Sequence, residues 1–340
     1  ALLSARLFLR PEWVDDQIFF LSNLSGKNSL YVMKYGGSVP SPLLPPHITL
    51  QNPHLIGGDS FAVFKDIGKI LVMIDQDGDE NYLPMEIPLT GGFPEPAFFN
   101  FFENTRCHLG AVDAEQNLCV ILAESREEGM VRTYLCHVDR GEVEEIFASP
   151  FGAFPVAIND DYSRMALVEG YMVGDTVTYL WEQDRDLRLI YGKPLAERVK
   201  GETVPLIAFG EGFFIDGDHS LVFSNALFED TYSLGYLALD HLDEVAPVSF
   251  SSLAHTGEGE FVGLKKLKNE RYLLFFNIDG ASWVYEAEFD PQEKTMCAIN
   301  ILVGIGVFAG GVLEAISYNK DRDSFALAFS TATSPTQIYT

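Results

Sequence analysis

Basic residues are scarce in this sequence: 23 lysines and arginines stand against 49 acids, a formal net charge of −26. That balance disfavours a nucleic-acid binder, because phosphate affinity needs clustered Lys and Arg, and it equally disfavours docking on anionic lipid. What it fits is a solubilising acidic surface or, as a weaker functional reading, an acidic vestibule that attracts cationic peptides and amino termini. Cysteine is scarce too. Cys107, Cys119, Cys136 and Cys297 form no CxxC pair and sit in apolar strand-like runs. They read as small buried hydrophobes in a reducing compartment, so a cytoplasmic location is expected. No run is long enough to cross a membrane as a helix. The uncharged, glycine-rich stretch 298–313 has 16 residues and contains Asn300 and four glycines, the pattern of strand, turn, strand. The opening "ALLSARLFLRP" carries Arg6 inside its apolar part and lacks a cleavage site, so no signal peptide is expected. The first residue is not methionine, which points to a processed, renumbered or partial chain.

A 3.6-residue apolar period is also missing, which removes helical folds from consideration. Hydrophobic residues make up 47% of the chain and aromatics 13%, ample for a core, so general disorder is excluded. The apolar residues fall in short runs bounded by Gly, Asp, Asn and Pro. Seven units share one grammar, a polar turn followed by a nearly continuous apolar strand. They read "DDQIFFLS" from Asp15, "IGKILVMI" from Ile67, "AEQNLCVILA" from Ala114, "DDYSRMALVEG" from Asp160, "GDHSLVFSN" from Gly217, "KNERYLLFFN" from Lys268 and "KDRDSFALAFS" from Lys320. Equivalent positions are Ile18, Ile70, Leu118, Arg164, Ser220, Tyr272 and Ser324, at intervals of 46 to 56 residues. An alternating strand follows each unit, from "NSLYVMKYGG" in the first to "TQIYT" in the last. The continuous run reads as an inner strand buried on both faces, and the alternating run as one with a wetter face. Several strands per unit, a period near 50 and no helix predict an all-β, seven-bladed β-propeller. The expected blades lie near 5–50, 58–98, 105–149, 153–194, 204–250, 255–302 and 310–340, all in a single domain 1–340. Blade seven lacks an evident fourth strand, and "SARLFLR" lies too close to the inner strand of blade one to supply it. An open or incompletely closed ring is therefore expected.

The acidic segment "DQDGDEN" is the one pattern suggestive of a metal. Asp75, Asp77 and Asp79 occupy positions 1, 3 and 5 of an EF-hand loop, with Glu86 at position 12. Position 6, which requires glycine, is Glu80, no helices flank the loop, and Glu86 falls inside the next strand. The segment also occupies the slot that holds "NLSGKN" in blade one, so an acidic hairpin tip is the preferred reading over calcium. The seven histidines, His47, His54, His108, His137, His219, His241 and His255, have no metal-ligand spacing. Glu127-Glu128 and Glu144-Glu145 adjoin turns and read as solvated. Trp13, Trp181 and Trp283 read as packing residues of different blades. No catalytic, cofactor or metal residue is assigned, and no cofactor is expected.

The blades lack WD dipeptides, a kelch frame and Asp-boxes. "IFFLSNLSGKNSLYVMKYGGS", "DQDGDENYLPMEIPLTGG" and the closing "LEAISYNKDRDSFALAFSTATSPTQIYT" together resemble the N-terminal propeller of the prolyl oligopeptidase (S9) family of serine peptidases, which includes acylaminoacyl peptidases and dipeptidyl aminopeptidases. The resemblance covers nearly the whole chain. It implies a noncatalytic propeller that caps a C-terminal α/β-hydrolase domain, restricts access to short or unfolded peptides and forms one wall of the substrate cavity. The hydrolase half is not in this chain. No G-x-S-x-G occurs, "GDSFA" lacking the second glycine and "GGSVP" ending in proline. The chain alone is expected to be inactive, its parent a serine peptidase. The other readings are a stand-alone TolB-like interaction propeller and a propeller enzyme of the lactonase or lyase type. The last would need converging carboxylates and Asn or His, which the inner strands do not offer.

Overall fold

The computed structural model describes residues 6–50, 53, 59–75, 78–125, 127–242 and 244–340. It divides into two compact units, Ala1–Pro150 with Val312–Thr340, and Phe151–Gly311. Among the described residues helix is confined to three-residue 3-10 turns such as Lys65–Ile67, and no helix is long and apolar enough to cross a membrane.

The first unit holds four sheets, over 8–42, 61–96, 105–149 and 312–339. The second holds a four-stranded sheet over 154–191 and an eight-stranded sheet over 212–303. That large sheet is two four-stranded meanders joined where Ala246–Ser251 runs parallel to Thr295–Val303, with Phe250 opposite Met296. Each meander runs in simple antiparallel order, first strand to last, which is the construction of a propeller blade.

The seven continuous apolar runs all form the second strand of their sheets: Gln17–Ser22, Lys69–Ile74, Leu118–Ser125, Arg164–Met172, Ser220–Asn225, Arg271–Ile278 and Ser324–Thr331. A second strand has a partner on either side and a neighbouring layer on each face, so both of its faces are dry. Phe19, Phe20 and Leu21 in blade one, and Leu71, Val72 and Met73 in blade two, are fully buried. Each such side chain contributes about 1.5–3 kcal/mol by leaving water. The turns into these strands place Asp15, Asn117, Asp218, Asn269 and Asp323 in the left-handed region, which Asn and Asp tolerate by bonding their own backbone. First strands of five blades carry a bulge, for example between Leu9 and Glu12 and between Leu313 and Ala315, which adds local twist. Glycine is obligatory at Gly91: φ is +82°, and a Cβ there would lie 2.6 Å from the Leu43 carbonyl oxygen. Blade one's loop can thus lie backbone-to-backbone against blade two.

Blade seven has three strands, Val312–Asn319, Ser324–Thr331 and Ser334–Tyr339. Phe8–Val14 pairs with Gln17–Ser22 as the first strand of blade one. Among the described residues no N-terminal strand completes blade seven. The two blades instead meet through side chains: Trp13, Ile18, Phe20 and Tyr31 pack with Ala326.

Candidate functional site

In blades four, five and six, as in any antiparallel meander, the turn joining strands two and three lies at the same end as the segment that enters strand one. This link end carries the long connections, and it is where chemistry-bearing side chains gather.

In blade four the turn between Arg164–Met172 and Asp175–Glu182 faces the connection that follows the blade's last strand. Arg198 from that connection makes a bidentate ion pair with Asp175, at 2.6 and 2.8 Å, with side-chain exposures of only 12% and 7%. Its Nε donates to the Lys193 carbonyl at 2.8 Å, and its guanidinium lies over the Tyr171 ring at 4.9 Å. A planar fork satisfied on every side is the geometry that favours Arg over Lys. Beside it the Glu169 carboxylate accepts from the Tyr171 hydroxyl at 2.8 Å and the Tyr179 hydroxyl at 3.4 Å. Burial first, and then the Glu169 charge, pushes the Tyr179 phenol well above its ordinary value; burial raises Tyr171 likewise. Both phenols therefore stay protonated as donors. Around this polar knot stand exposed apolar side chains, Met172, Val173, Leu195, Val199 and Leu206, with Val173 93% exposed. Leu206 packs against Gly174, where a Cβ would sit 3.2 Å from the Leu206 Cβ. A rigid charged anchor rimmed by uncovered aliphatic groups is the composition of a contact surface.

The link end of blade six is aromatic. The Tyr285 hydroxyl accepts from the backbone N–H of His255 (3.0 Å) and of Ala254 (3.3 Å) and lies 2.9 Å from His255 Nδ1. The His255 ring is 5.0 Å from Phe276 and 5.7 Å from Trp283, and desolvation holds its pKa below the usual imidazole value. Gly304 lies against the Trp283 ring, where a Cβ would be 2.3 Å from Cε3.

In the first unit the connection from blade two to blade three contains Phe98, Phe99 and Asn100, all at positive φ (51°, 53° and 64°). Such backbone costs about 1–2 kcal/mol per residue for ordinary side chains. It leaves Phe99 88% exposed beside a cavity of about 120 Å³ lined by Lys69, Glu86, Pro96, Ala97, Val138 and Arg140 among others.

The residues singled out in the sequence do not converge. Asp77 and His54 lie outside the described residues. Asp79 accepts from the backbone and side chain of Asn81, at 2.9 and 3.0 Å, and Glu86 pairs with Lys69 at 2.7 Å. Glu128 and Glu145 both reach Arg132, while His108 meets Glu124 and His219 meets Asp240. Trp13 stacks on Tyr35 at 4.6 Å, and Trp181 is buried in blade four. The described residues contain no group of three His, Cys, Asp or Glu side chains arranged to hold a metal ion. Sequence reasoning missed the Arg198–Asp175 pair, whose 23-residue separation is set by the path of a long connection. It also missed the left-handed aromatic turn, for which "PAFFNFF" was the available signal.

No protein-family model matches the sequence, and no curated protein matches it. Solved structures do match in fold. A prolyl endopeptidase superposes with a TM-score of 0.67 at 10% identity, covering 98% of this chain and 48% of its own. The acylaminoacyl peptidase of Pyrococcus horikoshii gives 0.61 at 11% identity, covering 100% of this chain and 51% of its own. The β-propeller domain of the Trilobed protease from Pyrococcus furiosus, described as having an open velcro topology, gives 0.62 at 11% identity over 98% and 94% of the two chains. This chain is thus an all-β propeller like those of S9-type peptidases, and it spans about half the length of the full peptidase chains it matches.

Proposed function

We propose that this chain is the noncatalytic propeller of a cytoplasmic S9-type serine peptidase, covering a linked α/β-hydrolase domain and gating the access of peptides to it. One observation carries the reading: the fold match extends along essentially this whole chain, along about half of each full peptidase, and along 94% of an isolated peptidase propeller. The four cysteines are free thiols, in keeping with a reducing compartment. The knot and aliphatic rim of blade four supply a surface that a second domain would cover. The Arg198 fork fixes the connection, and Met172, Val173 and Leu206 supply apolar area.

Acyl transfer needs a nucleophile, a base oriented by an acid and donors for the oxyanion, and the sequence carries no nucleophile elbow. The test is the reading frame that encodes this chain. It is expected to encode G-x-S-x-G downstream, and the full product is expected to react with a fluorophosphonate probe and to cleave chromogenic peptidyl substrates. The 340-residue chain should do neither. Labelling or turnover by this chain alone would refute the assignment. A frame without a hydrolase would favour a stand-alone TolB-like interaction module.

A further inference from the structure

We propose that the link end of blade six is a binding shelf for an extended peptide segment, with the His255 and Trp283 ring N–H groups donating to its backbone carbonyls. The choice of a peptide rests on the proposed function; the shelf itself rests on geometry.

The hydrogen-bond arithmetic of His255 comes first. Tyr285 is fully buried, and its hydroxyl already accepts from two backbone N–H groups, of His255 and Ala254. Its own proton is then directed to His255 Nδ1, 2.9 Å away. A neutral imidazole whose Nδ1 accepts must carry its proton on Nε2. Tyr285 therefore fixes the tautomer, and Nε2–H is left with no acceptor among the described residues. The indole of Trp283 is in the same condition, whereas Trp13 Nε1 donates to the Asp15 carbonyl at 3.1 Å. Neither Nε2 nor Nε1 is a sealed orphan, since neither is among the buried side-chain atoms without a partner. Two neutral donors on rings 5.7 Å apart are thus half-buried and unspent.

The surroundings select the ligand. The rings are locked: Gly304 presses on Trp283, and Phe276 and Tyr285 pack against His255. Exposed Ile305 and Val307, on the connection that follows Gly304, extend the apolar surface, Val307 being 78% exposed. The segment carrying His255 is rimmed by carboxylates. Asp279 Oδ1 accepts from the Glu258 N–H at 3.4 Å, and Asp279 N–H donates to the Glu258 carbonyl at 2.9 Å. Glu260 follows in an exposed position. Neutral donors inside an acidic rim repel a carboxylate or phosphate ligand. They suit an uncharged carbonyl whose neighbours are neutral or cationic, and the formal charge of −26 acts in the same direction. Preorganised donors on an apolar floor are how main-chain recognition gains both affinity and register.

The experiment follows indole N–H resonances of the intact 340-residue chain, which contains three tryptophans, assigned by single Trp→Phe variants. The probes are three blocked alanine–proline hexapeptides, one uncharged, one with a terminal lysine and one with a terminal glutamate. The Trp283 resonance is expected to move in a saturable way while those of Trp13 and Trp181 stay fixed, with affinity falling from the lysine to the neutral to the glutamate peptide. His255→Ala, read at the Trp283 resonance, and Trp283→Phe, read at the His255 imidazole 15N resonances, should each weaken binding about fivefold, the loss of one hydrogen bond with its contacts. Tyr285→Phe tests the positioning role. It should change the imidazole 15N pattern from a single Nε2–H tautomer to a mixture, and weaken binding less than His255→Ala does. A Trp283 resonance unmoved at millimolar peptide, or affinities unaltered in both donor variants with folded spectra, would overturn the shelf. Fluorophosphonate labelling of the longer product is read independently, so the shelf can fail while the peptidase assignment stands, and the reverse.

Discussion

Asn319 and Trp13 are 306 residues apart in the chain, yet the Asn319 Nδ2 donates to the Trp13 carbonyl at 3.0 Å in a buried contact. Asn319 Oδ1 meanwhile accepts from the Arg322 N–H at 2.8 Å, and the Arg322 guanidinium lies over the rings of Trp13 and Tyr35 at 5.2 and 5.3 Å. The same device recurs inside the second unit, where Asn159 Nδ2 donates to Asp218 of the following blade at 2.8 Å. A residue that elsewhere joins successive blades here joins blade seven to blade one, in place of a shared strand. Asn319→Ala leaves a buried carbonyl without its donor and is expected to destabilise the first unit by about 1–3 kcal/mol. Chemical denaturation followed by Trp13 fluorescence measures it; an unchanged midpoint would show that the packing around Ala326 suffices alone.

Asp161 offers a test by pH. The Ser163 hydroxyl donates to its carboxylate at 2.6 Å and the Ser163 N–H at 3.1 Å, which together hold its pKa below the usual value of 3.8. A depressed carboxyl stabilises the fold fully above its unfolded value, and that contribution is lost as pH falls through the folded value. Ser163→Ala should move the Asp161 midpoint up toward 3.8, seen in the carboxyl 13C titration, and the stability gap between the two proteins should narrow below that pH. A midpoint that stays put would assign the depression to the backbone donor alone.

The thiols should divide by burial. Desolvation pushes Cys107 up to about 12, and burial beside Cys119 raises Cys136 too, so neither forms thiolate near neutral pH. Cys297 is only half-buried. Brief maleimide treatment of the native protein is expected to modify Cys297 at most, with all four reacting in denaturant, as counted by intact mass. Rapid labelling of Cys107 or Cys119 would show that blade three opens readily.

Calcium is expected to leave the melting temperature unchanged, with or without a chelator, because Asp79 and Glu86 already accept from Asn81 and Lys69. A rise that grows with the logarithm of calcium concentration would restore Asp75, Asp77 and Asp79 as ligands.

The blade pattern could be read from the sequence because it is enforced locally. A strand with neighbours on both sides and both faces must be apolar throughout, as Lys69–Ile74 and Ser220–Asn225 are, and a tight turn must supply Asn, Asp or Gly. Outer strands were far less legible. Ser41–Pro42 and Glu95–Pro96 are two residues long and exposed, with no apolar signature. The Arg198–Asp175 knot and the His255–Tyr285–Trp283 cluster were invisible for a different reason. Each joins a connection to a strand, and the route of a connection follows from packing that no period in the sequence records. Strand position alone marks Trp283 as a packing residue, and its ring is packed against Gly304 and Tyr285; the fate of its N–H depends on the neighbouring connection, which strand position does not specify.

The parallel junction between Ala246–Ser251 and Thr295–Val303 has a consequence for breathing motions. An outer blade strand ordinarily leaves one row of amides to solvent and can fray by itself. Here each edge protects the other, and the Ser249 and Thr295 hydroxyls, 2.7 Å apart, add a side-chain tie. Peeling either strand away exposes both, so blades five and six are coupled at their rims as well as through their cores. In deuterium exchange the amides of 249–251 and 295–297 should lose protection together, making two consecutive repeats one cooperative foldon.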